Sequence, residues 1–169
     1  DLFYDKALPK ATLPEGVIIS SLGKACEEFP EVVKRCYGQL ARSGKDAINA
    51  LNTMLAQDGL FIYVPRGLVV DRTIQVINIL RSDVDLMVNR RVLIVLEEGA
   101  QARILVCDHA LDDRNFLATQ VSEVFVGENT HLALYELEET HVKCHRMSNM
   151  YVQMQANSTA ALDSITLQN

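Results

Sequence analysis

The sequence contains no tryptophan, and aromatic residues make up only 6% of its 169 positions. A groove that stacks sugar rings on aromatic side chains would therefore be poorly supplied. No apolar run approaches the roughly 18 residues of a membrane-spanning helix, and the N-terminus lacks the basic start and apolar core of a secretory signal. No Walker, GxGxxG or GxSxG motif occurs, so neither a nucleotide-binding loop nor an activated serine is indicated.

Positive charge is also in short supply. The net charge is −6 and the isoelectric point is near 5.2, which argues against nucleic acid or an anionic membrane as the main partner. Cysteine is limited to four residues that lie far apart in the sequence. A chain of this length does not need disulfides for stability, so we expect reduced thiols and a cytoplasmic protein.

What the sequence does contain is a repeat. From Gly59 onward, short runs rich in Val, Ile and Leu alternate with turn residues, which is typical of strands. Aligning these runs brings four turn residues into one column with spacings of 32, 30 and 28, namely Gly67, Gly99, Asn129 and Asn157. Glycine and asparagine tolerate a left-handed backbone, so the column predicts one sharp turn per repeat.

Apolar positions on both sides of that turn also align. The columns are Ile94, Val124 and Val152; Leu96, Val126 and Met154; Ala102, Leu132 and Ala160; and Ile104, Leu134 and Leu162. Strands repeating at this period with no helix between them predict an all-β fold, a parallel β-helix whose coils stack these columns inward. The alternative is an antiparallel sandwich of about eight short strands.

The N-terminal portion of the chain differs in composition. The run EGVIISSL suits an edge strand, and two stretches with helical spacing follow it. The first helix opens at Pro30, the loop lies at Ser43 and Gly44, and Asp58 with Gly59 supplies a stop for the second helix. We therefore predict an N-terminal edge strand and helical cap over residues 1–58, with the helices covering the exposed end of a β-helix core over residues 59–169.

At the other end, the strand-like run LDSITLQN reaches Asn169 and predicts an open edge. Unpaired strands are templates for other strands. We expect that the chain is a piece of a longer protein or that the edge finds a partner, in which case two copies would form a homodimer through it.

Soft metal ligands occur in two clusters about one coil apart: Cys107 and His109 in the first, and His141, Cys144 and His145 in the second. Thiolate and imidazole would suit zinc, iron or copper, and a metal-sensing module built on the second cluster is one alternative function. Neither cluster has a CxxC or HxxxH signature. We expect no metal site and no catalytic or cofactor-binding residue in this segment.

Two polar stretches, Asp108–Asn115 and Glu136–His145, are expected to form loops at coil corners. The acids of the first stretch are Asp108, Asp112 and Asp113. Together with Arg114 they resemble the calcium and base sites of carbohydrate-active β-helix lyases and hydrolases, which is an alternative function for the chain. They share one stretch instead of occupying successive coils, so we expect a solvated loop. Solvated charge is also expected for the glutamates. Arg90 with Arg91 could hold a phosphate or pair with these glutamates, and pairing inside the fold is the expectation. The glutamates concerned are Glu97, Glu98, Glu136, Glu138 and Glu139.

Several ordered motifs resemble the SufB/SufD family of iron-sulfur cluster assembly proteins. They are DGLFIYVPRGLVVDRTIQV, NRRVLIVLEEGAQARIL and VFVGENTHLAL, and the resemblance extends from about Lys45 to Asn169. The first string matches the family's repeated DG-(apolar)-VP-x-G motif. Because the segment lacks the cysteine-containing insert that marks SufB, it resembles the SufD branch more closely.

The resemblance implies a right-handed parallel β-helix between N-terminal and C-terminal helical regions. It also implies a non-catalytic scaffold that pairs with SufB and binds the ATPase SufC. A transient iron-sulfur cluster and a reduced flavin would belong to the assembled complex, with no cofactor held by this segment. The family's last coils and C-terminal helices, which carry partner binding, have no counterpart here, so no partner-binding residue is assigned.

Overall fold

A computed structural model describes residues 13–42, 44 and 46–168. Three helices and nine strands follow one another along these residues. In order they are β1 (Ile18–Ser21), α1 (Leu22–Glu28), α2 (Pro30–Cys36), α3 (Ala47–Leu55), β2 (Asp58–Val64), β3 (Ile74–Leu80), β4 (Leu86–Leu96), β5 (Gln101–Ala110), β6 (Phe116–Val126), β7 (His131–Thr140), β8 (Cys144–Met154) and β9 (Thr159–Gln168).

The strands form two sheets, each built from every second strand. The first sheet has the order β1-β2-β4-β6-β8 and the second the order β3-β5-β7-β9. Apart from β1, which pairs antiparallel with β2, all neighbouring strands run parallel. The chain is therefore a parallel β-solenoid of about four turns, as predicted. The alternative of an antiparallel sandwich is wrong.

The predicted turn column is confirmed. Gly67 and Gly99 have φ of 70°, and Asn129 and Asn157 have φ of 54° and 56°. The turns also bond to one another, since Gly67 N donates to Glu98 O at 2.8 Å and Gly99 N to Glu128 O at 2.8 Å. Asn129 N likewise donates to Ala156 O at 3.0 Å, so each of the first three turns is bonded to the next one along the axis.

The inward columns are confirmed as well, because their members are register partners in the two sheets. Ile94, Val124 and Ile104 are fully buried, and the columns form one apolar core between the sheets. The last member of each column lies on the final described turn, and there Met154 is 48% and Leu162 42% exposed.

The predicted edge strand is present, but three N-terminal helices are found where two were predicted, since α1 precedes the helix that begins at Pro30. The helices also do not cover the end of the first coil. They pack against the outer face of the first sheet, where α1 and α2 bury Phe61, Leu93 and Val95. One feature of the sequence marks this covered face, namely the unbroken apolar run Val92–Leu96, whose residues are all buried. A run without alternation indicates a strand covered on both faces.

Three further expectations need correction or restriction. Strands β5 and β7 continue to Ala110 and Thr140, so much of the two expected corner loops is strand. Asp58 and Gly59 begin β2 and do not end a helix, and a Cβ at Gly59 would collide with the carbonyl oxygen of Arg91. The expected loop at Ser43 and Gly44 falls partly outside the described residues, since Ser43 is not among them.

Replacing Gly99 with Ala is expected to lower the free energy of unfolding by about 1–2 kcal/mol, because an L side chain is strained at this φ. A Cβ there would meet only ordinary contacts, the nearest being Gly67 Cα at 3.6 Å, so strain alone is tested. Asn129→Gly keeps the turn and should change stability by less than about 0.5 kcal/mol. Urea-induced unfolding measures both, and equal losses in the two variants would contradict the assigned role of the column.

Candidate functional site

The interior of the coil changes from apolar to charged along each turn. Continuing the inward alternation of β5 beyond Ile104 and Val106 leads to Asp108, and continuing that of β4 back from Ile94 leads to Arg90. These two side chains meet across the interior between the sheets. The residues of this interior charged layer are Asn78, Arg90, Asp108, Gln120, Glu136, Glu138 and Arg146.

Asp108 is the most enclosed acid of the interior charged layer. Its carboxylate accepts two hydrogen bonds from Arg90 Nη1 and Nη2, both at 2.7 Å, and a third from Asn78 Nδ2 at 2.8 Å. Burial acts to raise its pKa, but the hydrogen bonds and positive charge of Arg90, aided by Arg146, outweigh it and hold the pKa below its ordinary value. Asp108 is therefore a fixed anion and a poor general base.

Arg146 has a similar role two turns further along the solenoid, on β8. Its Nη2 donates to Glu136 Oε2 at 3.1 Å, while its Nη1 lies 3.5 Å from Asp108 Oδ2 and 3.8 Å from Glu138 Oε2. Gln120 Nε2 donates to the other oxygen of Glu136 at 2.8 Å. The three carboxylates of the layer thus share two guanidinium groups, and these ion pairs are made within the fold.

A second ion pair lies outside the coil, under the helices. Arg91 and Glu123 are 2% and 1% exposed, and Arg91 Nη2 donates to Glu123 Oε2 at 2.7 Å. Glu123 also accepts the backbone N–H groups of Gly38, Leu40 and Ala41 at 2.8–3.0 Å. One buried carboxylate therefore fastens the segment after α2 to the first sheet.

The guanidinium of Arg91 also lies 4.7 Å from the centre of the Tyr37 ring. The prediction that Arg90 and Arg91 pair inside the fold is confirmed, with Asp108 and Glu123 as the partners. Neither partner is one of the glutamates expected from the sequence. The alternation of β5 could have identified Asp108, whereas nothing local marks Glu123, whose partners are 32 and more residues away.

The expectation of solvated charge fails for three acids. The side chains of Asp108, Glu136 and Glu138 are only 5%, 11% and 12% exposed. Asp113, by contrast, is 79% exposed and pairs with Lys143 at 2.9 Å, as expected for a solvated corner. The two arginines from the opposite sheet provide the physical reason, since they supply the charge that allows acids inside.

The soft ligand candidates are divided among different faces. Cys107 and His109 lie on the outer face of the second sheet, where His109 Nδ1 is 3.3 Å from Glu139 Oε2. Cys144 points into the coil and packs with Leu80 and Phe116.

Of the remaining two histidines, His145 lies on the outer face of the first sheet, one residue along β8 from Cys144. His141 approaches a cysteine, with Nε2 3.7 Å from Cys144 Sγ and 2.8 Å from Asp112 O. Among the described residues, no three such side chains are grouped so as to hold a metal ion.

Replacing Asp108 with Asn is expected to lower the free energy of unfolding by about 3 kcal/mol at pH 7, because buried guanidinium groups lose their carboxylate. The folded-state pKa lies below the unfolded one. The stabilisation is therefore complete above pH about 4 and is lost as the pH falls through the folded-state pKa. Urea unfolding over a pH series should show the difference from the unmodified protein shrinking below pH about 4.

The matched control is Asp113→Asn, which removes an exposed carboxylate and should cost less than about 0.5 kcal/mol. Equal costs for the two variants, or a loss in Asp108→Asn that does not depend on pH, would contradict the assigned charge state of the layer.

One thiol should react quickly with a disulfide reagent under native conditions. Cys26 is exposed, whereas Cys36, Cys107 and Cys144 are 3%, 3% and 5% exposed. Burial also raises the pKa of the Cys36 and Cys144 thiols, which lowers their thiolate fraction. Stopped-flow labelling should show a single fast phase that Cys26→Ser removes; a second fast phase would contradict the packing.

Comparison with known proteins bears on all these features. The model for the SufBD protein N-terminal region matches residues 1–76. The model for the SufBD core domain of SUF system FeS cluster assembly matches residues 78–169, more than half of the chain. Among the described residues, no helix is long and apolar enough to cross a membrane.

Individual relatives agree with the family models. An iron-sulfur cluster assembly SufBD family protein of Trieres chinensis is 30% identical over 141 residues, covering 78% of this chain and 28% of the relative. One of Synechocystis sp. is 28% identical over 119 residues, covering 70% and 25%. The chain thus spans about a quarter of the length of these relatives. With both family models matched in order along one β-solenoid, the chain belongs to the SufBD family of iron-sulfur cluster assembly proteins.

Proposed function

We propose that the full-length protein is a non-catalytic scaffold subunit of the SUF assembly complex, of the SufD type, which pairs with SufB and binds the ATPase SufC. The observation that carries the proposal is the match of both family models over the solenoid. The clusters are the cargo of the complex and do not reside in this segment. The cytoplasmic location expected from the reduced thiols belongs to the same proposal, and all four cysteines are free.

The geometry of the charged residues supports a structural role. In the interior charged layer, Asp108, Glu136 and Glu138 face arginines from the opposite sheet. Under the helices, the carboxylate of Glu123 accepts hydrogen bonds from Arg91 and from backbone amides. A general base needs a pKa near the working pH and access to substrate. Acids that are buried and paired with guanidinium groups lack that access, and the pKa of Asp108 is also held below its ordinary value. This segment therefore holds its shape and presents surfaces.

The same geometry weighs against the carbohydrate-active alternative. Such an enzyme would place its acids on an outer face across successive coils, where a polysaccharide could lie. Asp108 instead lies inside the coil, bonded to Arg90, and Asp112 and Asp113 lie at the corner between β5 and β6. Turnover of polygalacturonate by the purified chain would support the enzyme and overturn the scaffold.

The direct test is co-expression of the tagged full-length protein with SufB and SufC from the same cell. We expect one complex that contains all three proteins on size-exclusion chromatography. The 169-residue chain alone should fail to retain SufC, because the family's docking helices lie in regions it does not match. Retention of SufC by this chain would contradict the placement of the docking site, and failure of the full-length protein to retain either partner would contradict the scaffold role.

A further inference from the structure

Along part of the length of its strands, the second sheet has its charged residues on the inner face and apolar residues on the outer face. Where its inner face carries the acids of the interior charged layer, its outer face carries apolar side chains. Four of these are successive register partners on β3, β5, β7 and β9 and form an outer apolar row: Ile77, Cys107, Leu137 and Ile165. A buried charged layer and an apolar row with exposed ends at the same height are the two departures from ordinary burial that call for an explanation.

The outer apolar row is exposed at its ends, whereas Cys107 within it is buried between its neighbours at 3% exposure. Ile77 and Ile165 are each 55% exposed, and Ile79 and Leu167 in the adjacent row are 58% and 52% exposed. The described helices all pack against strands of the first sheet, so they leave this face bare. Parallel sheets are normally covered on both faces. Within residues 13–42, 44 and 46–168, the helices give the first sheet such cover and leave the second without it.

Helix α3 shows how a helix covers a sheet in this fold. Asn52 Nδ2 donates to Arg90 O on β4 and to Thr119 O on β6, and one helical turn away Asn49 Nδ2 donates to Tyr151 Oη on β8. These bonds show that the helix crosses the strands. Its pitch of about 5.4 Å is close to the strand spacing of about 4.8 Å, so successive helical turns can contact successive strands. A row with one apolar residue per strand therefore fits a helix with one apolar residue per turn.

The charges beside the row select the kind of helix. Glu139 is 55% exposed in the row on one side, where it lies 3.3 Å from His109, and Asp163 is exposed in the row on the other side. Arg103 is also exposed but lies one row further out. Carboxylates flank the apolar row on both sides, which favours basic residues beside the apolar stripe of the ligand.

We propose that the outer face of the second sheet is a docking surface for an amphipathic helix of a partner protein. The helix lies across the strands along the outer apolar row, with an apolar residue at every third or fourth position and basic residues on its flanks. This surface goes beyond the assembly role proposed above, since nothing in it depends on the identity of the complex.

The test uses the full-length protein with ¹³C-labelled isoleucine methyl groups, which places reporters at Ile77, Ile79 and Ile165. The probe is a synthetic helical peptide of roughly five turns, with leucine at every third or fourth position and lysine beside it. A peptide of the same composition in scrambled order controls for charge alone. We expect the first peptide to shift these three methyl signals and the scrambled one to leave them unchanged.

Variants locate the binding. The double substitution Ile77→Gln and Ile165→Gln should weaken peptide affinity at least about tenfold, read from Ile79. The matched control, Leu111→Gln with Val142→Gln, changes two corner residues that are 63% and 67% exposed and should leave affinity unchanged. Equal binding of both peptides, no binding, or equal weakening by the two double variants overturns the proposal.

Two further results would assign the surface to another occupant and so overturn the proposal. Protection of the Ile77 and Ile165 methyl groups from a soluble paramagnetic agent in the isolated full-length monomer would show that the chain's own segments cover the face. Self-association that the Ile77→Gln and Ile165→Gln variant abolishes would show that a second copy covers it.

Discussion

Stacking in register imposes the constraint on which this structure depends, because each turn places its residues directly beside those of the turn before. In the second sheet, Asp108 is the register partner of Glu138. Two carboxylates facing the same way on adjacent strands repel one another. The opposite sheet resolves the conflict, since Arg146 Nη1 lies 3.5 Å from one and 3.8 Å from the other. The solenoid can repeat an acid along its axis only because a guanidinium crosses the interior to meet it.

The interior charged layer also sets the register of the strands. A slip of one residue along β8 would turn Arg146 to the outer face and leave Glu136 and Glu138 inside without it. An apolar core alone resists such a slip less strongly, because neighbouring positions of a run such as Val92–Leu96 are all apolar. Breaking a buried ion pair costs more than the pair contributes over an apolar replacement. The layer therefore acts mainly by destabilising the wrong register.

These two kinds of interaction explain what could be predicted from the sequence. The turn column and the inward columns repeat locally, so the spacing of Gly67, Gly99 and their partners was sufficient to predict the solenoid. The interior charged layer could not be recognised in the same way, because acids in a polar stretch resemble a loop unless the alternation from Ile104 is continued through Asp108. The position of the helices depends on which face of Leu93 and Val95 needs cover, and a helical stripe does not carry that information.

Charge inside and apolar surface outside follow from a single shift in pattern. Side chains of β5 and β7 point alternately to the inner and outer faces throughout. Beyond Val106 and Leu134, however, polar residues occupy inward positions. The outward positions at the same height then carry Cys107 and Leu137. A strand that only needed to be soluble would place polar residues on both faces here. Because the outer row is apolar at the height where the inner face is charged, the two lie back to back on the same strands, and a slip of those strands by one residue would exchange them.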